Sequence, residues 1–475
     1  MATYGVDGIS GAPSDNECGR GALVTGTDLR RRLMTEVASE SLIFPDDDGY
    51  DAARFSYNLV HDRRPLVIVR SLDVETLRSV IRIRHEFELK LAVRGGGHHI
   101  GGFSTSEGGI LIDFSTFRQV QFDAHANTVT VQPGARLGDV DAELARVGRC
   151  LPSGTVSDTG IAGLTLGGGI GWLVGSAGLT CDYLQSAKVL LDDGRFLEVD
   201  DDTHPELMAA YRGGGMGGFG LILELRFRTI QLPILTAGSI RFVNNKAVAA
   251  LNAIGRSHVD EPYSALSIAP VLRRNSGGIE MSVDLCLAGE GHGELERLRK
   301  AIGGDWADVV EVPYTEWQSR FDADFLPPKR GYWKSTHFAD AARDFAALRE
   351  VLDRAPSAEC TAMVEFYNRD TLRAKAQGSL YPLRDSLTGI LLTARWADPR
   401  RDEDFAGWVR ESAARIAQNG VVGGYSNYSS ADEELVVAGY RSESLSVIRN
   451  LGEKFDPHRT FAQGHRHRVE QGETA

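Results

Sequence analysis

Leu89-Lys90-Leu91-Ala92-Val93-Arg94-Gly95-Gly96-Gly97-His98-His99-Ile100-Gly101-Gly102 is the stretch whose reading decides the fold of this chain. Its first five residues are apolar and strand-like. Three consecutive glycines then strip side chains from the backbone, so that main-chain amides can approach a large flat or anionic ligand closely. A histidine follows directly and offers one nucleophilic ring nitrogen. A strand that ends in bare backbone and an imidazole is suited to a bulky cofactor.

Working outward, the pattern from Pro65 reads strand, helix, strand. Leu66-Val67-Ile68-Val69 is apolar and β-branched, and Asp73 can cap a helix with Val74, Leu77 and Ile81 on one face. Short strands follow at Gly109–Asp113 and Thr128–Val131, then a Pro133-Gly134 turn and a helix through Leu137, Val140 and Leu144. A second glycine cluster, Gly163 to Gly171, precedes the strand Ala187–Leu191 and an Asp192-Asp193-Gly194 hairpin turn. A third, Gly213 to Gly220, precedes the strand Leu221–Leu225.

Beyond about residue 232 the glycine clusters stop. Alternating strands at Ser239–Val243, Ile279–Val283, Ala362–Phe366 and Gly389–Leu392 interleave with amphipathic helices near 246–257, 293–302, 340–354 and 402–418. That pattern predicts an α+β unit with a largely antiparallel sheet. Residues 1–42 read as an irregular lead-in.

Composition narrows the function classes. Glycine makes up 53 of 475 residues, about 11% against a usual ~7%, and its clustering indicates ligand loops. A formal net charge of −13 argues against nucleic acid or an acidic membrane surface as the main partner. Cys18, Cys150, Cys181, Cys286 and Cys360 are scattered without a C-x-x-C pair, which suggests neither a disulfide framework nor a zinc site. The N-terminus lacks a signal-peptide pattern, and no run approaches the ~18 apolar residues of a membrane span, so a cytoplasmic protein is expected. Gly213-x-Gly215-x-x-Gly218 fits the dinucleotide fingerprint only as a bare pattern: a helix precedes it and a strand follows, the reverse of what that site requires. No G-x-x-x-x-G-K-[ST] occurs.

Six ordered elements resemble the FAD-linked oxidases of the berberine-bridge-enzyme type, within the vanillyl-alcohol-oxidase superfamily with its PCMH-type FAD-binding domain. Arg94-Gly95-Gly96-Gly97-His98 is similar to the family's R-[SG]-G-G-H motif, and Gly160 to Gly171 to its G-x-G-G-x-x-x-G-G-G-x-G element. Ala177 to Leu184 is similar to Y-G-L-x-x-D-x-[LV], and Arg212 to Gly215 with Phe219-Gly220 to R-G-G-G-x-x-F-G. Tyr425-Ser426-Asn427-Tyr428 matches Y-x-N-Y, and Phe455 to Phe461 matches Y-D-P-x-N-x-F. The correspondence runs from about Pro45 to Phe461.

The resemblance implies an α+β fold in two parts. An FAD-binding domain spans 43–232 and is completed by 429–475; a substrate domain with a large antiparallel, helix-covered sheet spans 233–428. Arg94, Gly95, Gly96, Gly97, His99, Gly102, Val156, Thr159, Gly160, Gly163, Gly168, Gly169, Gly171, Gly220 and Leu221 would hold the cofactor, and His98 would be bonded to the flavin 8α-methyl carbon. An electron-withdrawing substituent at that carbon raises the flavin's potential. The alternative for His98 is a hydrogen-bonded loop histidine, and for His99 a structural residue or pocket wall.

Departures from the family pattern shape the expectation. Relatives that attach flavin twice carry a cysteine where this chain has Val156, and Cys150 lies six residues further upstream, so a single link through His98 is expected. Thr159 occupies the position associated with oxygen access, where valine admits it. Gly218 and Arg459 replace the usual asparagines.

For catalysis the resemblance implies a base near the flavin. The second tyrosine of Y-x-N-Y maps to Tyr428; a phenol of pKa ~10 needs a neighbour such as Tyr425 or a cation to act as one. Other relatives use a carboxylate from a substrate-domain strand, which points to Glu365, although a strand glutamate also commonly faces solvent. Tyr367 and Trp333 are candidate aromatic walls or core residues. His465-Arg466-His467 reads as a solvated terminus, and no metal is expected.

The function so implied is an oxidase passing hydride from a small alcohol, amine or secondary metabolite to FAD, with O2 as acceptor and hydrogen peroxide as product. A dehydrogenase using another acceptor and a redox-inactive flavin-binding protein stay open as alternatives.

Overall fold

The computed structural model describes residues 26–215, 217–326, 328–417, 420–432, 434–461 and 466; Cys18, His465 and His467 lie outside them. The strand Val67–Val69 leads into the helix Val74–Glu86, which Asp73 caps by accepting a hydrogen bond from the Thr76 amide (2.8 Å). Leu77, Val80, Ile81 and Ile83 are buried, as the helical period requires, and Arg84 and His85 occupy the last turn, where positive charge suits the helix dipole. The chain returns as Leu91–Arg94, and Ile110–Asp113 lies between the two strands, parallel to both. In such parallel units ligands gather beyond the carboxyl ends of the strands. Gly95 begins where Leu91–Arg94 ends.

Residues 26–34 are not irregular: they form a helix that buries Leu29 and Leu33 beside Val74–Glu86. The stripe is two residues wide and interrupted by Arg30, Arg31 and Arg32, which hid its period.

A second sheet has five antiparallel strands, in the order Val120–Asp123, Thr128–Val131, Leu221–Arg228, Leu184–Leu190, Phe196–Val199. The Asp192-Asp193-Gly194 turn joins its last two strands, with Gly194 at φ 83°.

The third sheet is antiparallel throughout and has eight strands: Val310–Val312, Leu235–Val243, Gly278–Ala288, Leu266–Asn275, Thr361–Phe366, Thr388–Trp396, Arg330–Phe338 and Val421–Gly423, in that order. The helices Asn245–Asp260, His292–Ile302, Ala346–Asp353 and Asp402–Ile416 cover one face and form a core with it. The opposite face contributes Ala269, Cys286, Trp333, Met363 and Leu391 to a core shared with the glycine-rich half. This is the α+β architecture expected from the sequence. The helix expected from 340 begins at Ala346, and the strand Arg330–Phe338 is hard to read from sequence because its cavity-facing side mixes Trp333, Ser335 and His337. Among the described residues no helix is long and apolar enough to cross a membrane.

Candidate active site

Two glycine loops meet backbone to backbone at the end of the strand Leu91–Arg94. A Cβ at Gly96 would lie 2.4 Å from the Gly160 nitrogen, and one at Gly160 2.4 Å from the Gly96 nitrogen. A Cβ at Gly95 would lie 2.7 Å from the Pro133 carbonyl oxygen. These positions are glycine because the loops leave no room for anything else. Gly163 is different. It lines the cavity, yet a Cβ there would meet nothing within 4 Å, so its missing side chain leaves space for a ligand.

The cavity lies between these loops and the open face of the eight-stranded sheet. Of the residues expected at the cofactor, Gly95, Gly96, Gly97, His98, His99, Val156, Thr159, Gly160, Gly163 and Gly220 line it. The rest stand behind the wall. Arg94 is buried, paired with Asp113 (2.8 Å) and donating to the Phe55 carbonyl (2.9 Å), which ties the strand end to the preceding segment. Gly102 makes room for the His61 ring, Gly171 for the Ser153 carbonyl, and Gly168 for Tyr381. Gly169 donates its amide to Tyr425. Leu221 is a correction in direction: its side chain is fully buried in the core and its neighbour Ile222 faces the cavity, as strand alternation dictates.

His98 is half-buried beside Tyr57, whose ring stacks on it with centroids 4.0 Å apart. Its Nε2 lies 3.5 Å from an Asp158 oxygen and makes no hydrogen bond. Burial, reinforced by Arg136 and Arg395, pushes the imidazole down to about 4, so the ring is neutral and keeps a nitrogen lone pair. His99 acts locally, its Nδ1 accepting the Gly101 amide (3.0 Å) and its ring packing on Phe103. Cys150 is in the core, with burial raising its thiol to about 12, and it does not line the cavity.

Across the cavity, Tyr425 and Tyr428 meet edge to face at 4.8 Å. The Tyr425 hydroxyl oxygen accepts from the Gly169 amide (2.8 Å) and from Asn427 Nδ2 (2.9 Å), so it serves as a strut between the Tyr425–Tyr428 segment and the glycine loop. It gives Tyr428 no help as a base. Burial, then Glu365, Tyr425 and Tyr381, hold the Tyr428 phenol well above its usual range. Glu365 is half-buried on the strand Thr361–Phe366. The Tyr367 hydroxyl donates to its Oε2 (2.6 Å), and burial lifts the carboxyl to about 7 against the lowering effect of that bond. Of the two candidate bases the carboxylate is therefore the one that ionises near neutrality. Tyr367 itself stacks on the buried His337 (5.6 Å, 8°).

Apart from Trp333, the sequence does not single out the remaining wall. Tyr57, Phe321, Phe325, Met363 and Leu391 complete it. In the sequence each reads as an ordinary core residue; only the sheet's open face reveals them.

The tail closes the site. Phe461 lines the cavity, and the Asp456 carboxylate accepts the amides of Thr460 and Phe461. His85 and His458 both bond the buried Asp192 carboxylate (2.7 and 2.6 Å), and the Thr460 hydroxyl also donates to it. Arg459 has φ 54°, a left-handed conformation that asparagine adopts more easily than arginine. Arg466 is not solvated: it is fully buried, pairs with Asp456 (2.9 Å) and lies over the Phe219 ring.

The chain matches the FAD binding domain family over residues 65–200. It is 25% identical to (R)-6-hydroxynicotine oxidase of Paenarthrobacter nicotinovorans over 91% of this chain and 98% of that one. The fold superposes on BBE-like 1 of Physcomitrella patens with a TM-score of 0.81 at 20% identity, covering 92% and 98% of the two chains. It superposes on the xylooligosaccharide oxidase of Myceliophthora thermophila with a TM-score of 0.79 at 19% identity, covering 92% and 98%. The FAD binding domain and relatives named FAD-linked oxidoreductases and oxidases make the chain an FAD-dependent oxidoreductase. Its fold is that of BBE-like 1, and it carries an FAD binding domain.

Proposed function

We propose that the chain is an oxidase that takes a hydride from a carbon bearing a hydroxyl or amino group in a small organic substrate, with O2 as final acceptor and hydrogen peroxide as product. Residues 43–232 with 429–475 hold the cofactor, and 233–428 hold the substrate. When bound, FAD supplies the hydride acceptor. The observation that carries the reading is a cavity with the glycine loops and His98 on one side and Tyr428 on the other, with a Glu365 carboxyl that burial lifts to about 7.

His98 holds the cofactor through a single covalent bond. Its depressed basicity supports this, since a protonated imidazole has no lone pair to offer. Val156 occupies the second attachment position, and Cys150 lies in the core. Thr159, Gly160 and Gly163 line the cavity and would border the ring system. Glu365 receives the substrate proton, and Tyr428, kept protonated by its surroundings, orients the reacting hydroxyl and relays the proton. Tyr367 fixes the carboxylate by its 2.6 Å bond.

The test is acid precipitation of the purified yellow protein beside His98→Ala, followed by oxygen-electrode assays. Flavin that stays with the denatured wild type and leaves His98→Ala supports the link. Substrate-reduced flavin that persists in air would reject the oxidase reading in favour of another acceptor.

A further inference from the structure

Between Gly154 and Gly163 the ionisable side chain is Asp158, and the fold sets it behind the His98 ring. Asp158 does not line the cavity. Its Oδ2 lies 3.5 Å from His98 Nε2, the ring nitrogen that is buried and makes no hydrogen bond. That separation is a few tenths of an ångström beyond an ordinary hydrogen bond, and contacts of this kind at reacting groups tighten once the partner molecule is bound. With Tyr57 stacked on one ring face and Nε2 turned inward, the edge left to the cavity carries Nδ1.

Asp158 is held in place from several directions. Arg136, at the N-cap of the helix Leu137–Ala145, pairs with its other oxygen, Oδ1. The Leu137 and Gly138 amides donate to the Thr159 and Ser157 carbonyls (2.9 Å each), which pins the flanking residues to the start of that helix. From the short helix Asp322–Phe325, the Asp322 carboxylate accepts the Ser157 amide (2.8 Å) and the Ser157 hydroxyl. The touching backbones of Gly96 and Gly160 fix this loop against the one that bears His98. An ionised oxygen at Nε2 selects the tautomer with the proton on Nε2 and leaves the lone pair on Nδ1.

We propose that Asp158 is a positioning residue for cofactor attachment: its carboxylate turns His98 Nδ1 towards the flavin 8α-carbon and takes the Nε2 proton as the bond forms. This rests on the single covalent link proposed above and deepens it by assigning the group that assists it. One C–H bond of the 8α-methyl group breaks, and a bond from Nδ1 takes its place. The alkylated imidazole carries a positive charge until its Nε2 proton passes to Asp158 Oδ2. Two protons and two electrons leave in all, and O2 takes them up as hydrogen peroxide. Burial opposes a charged imidazole at this position, so an acceptor at Nε2 matters more than it would in water.

The experiment loads full-length protein from flavin-starved cells with FAD in air. It follows acid-stable flavin against time beside total bound flavin. Asp158→Asn and Asp158→Ala should bind FAD to the wild-type level but attach it about 10²-fold more slowly, the low end for loss of a proton acceptor. Asp158→Glu should recover part of the rate, and added formate should recover it in Asp158→Ala. Attachment at the wild-type rate in Asp158→Asn overturns the role of Asp158 and leaves the His98 link standing. Lowered FAD binding in Asp158→Asn, with all that binds attached at the normal rate, also overturns it, because the side chain then only braces the loop through Arg136. Wild-type protein that releases all its flavin on denaturation rejects the covalent link itself.

Discussion

The two walls of the cavity are built from different materials. On one side Gly95, Gly96, Gly160 and Gly163 present backbone, and His98 offers an imidazole. On the other, Trp333, Met363, Leu391 and Phe325 present side chains on a rigid sheet, with Glu365 and Tyr367 behind them. The first wall depends on the absence of atoms, and adding one methyl is a drastic change. The second depends on which atoms are present, and can be altered by substitution without disturbing the backbone. A cofactor common to many enzymes suits the first construction, and a substrate particular to one suits the second.

Predictions that probe this contrast run from large effects to small. Glu365→Gln should lower kcat by about 10²- to 10⁴-fold while leaving bound flavin unchanged, read by anaerobic flavin reduction. In the unmodified chain the base works only when deprotonated, so the rate should rise with pH through about 7, and this limb should vanish in the variant. Survival of the limb would remove Glu365 from the mechanism.

Gly96→Ala forces a Cβ against the Gly160 backbone and should destabilise the fold by about 3 kcal/mol, at the upper end of overpacking. Gly163→Ala should leave the melting temperature of the apoprotein unchanged and lower the flavin content, because its Cβ meets nothing but cavity. Equal melting losses in both variants would erase the distinction between a packed and a ligand-facing glycine.

Tyr367→Phe removes the bond that holds the Glu365 carboxyl down, so the pH limb should move upward and neutral-pH turnover fall several-fold, recovering in alkali. A purely structural role would lower the rate equally at every pH. The smallest effect belongs to Cys150→Ala: about 1 kcal/mol of core stability lost, with acid-stable flavin unaffected.

The wall made of backbone was legible in the sequence because glycine clusters and a following histidine are local signals. The Asp73 cap and the Asp192-Asp193-Gly194 turn were legible for the same reason. The wall made of side chains was not. Phe321 and Phe325 belong to short helical turns, Tyr57 to a loop, and Met363 and Leu391 to strands buried on both faces, where no alternation betrays the cavity side.

The ranking of the bases illustrates the limit. Tyr428 and Glu365 were both nameable from motif and strand pattern, but their order depends on burial and on Tyr367 and Tyr425, which only the folded chain brings together. The same holds at the tail, where Asp192 collects His85, His458 and Thr460 from distant parts of the chain.

The sequence by itself determined the α+β class and the presence of ligand loops, because glycine spacing and hydrophobic period are properties of neighbouring residues, and its motifs carried the resemblance to FAD-linked oxidases. Only the tertiary structure decided which side chains face the cavity and which carboxyl ionises near neutrality. Those depend on desolvation and on contacts between residues hundreds of positions apart, and no local pattern records them.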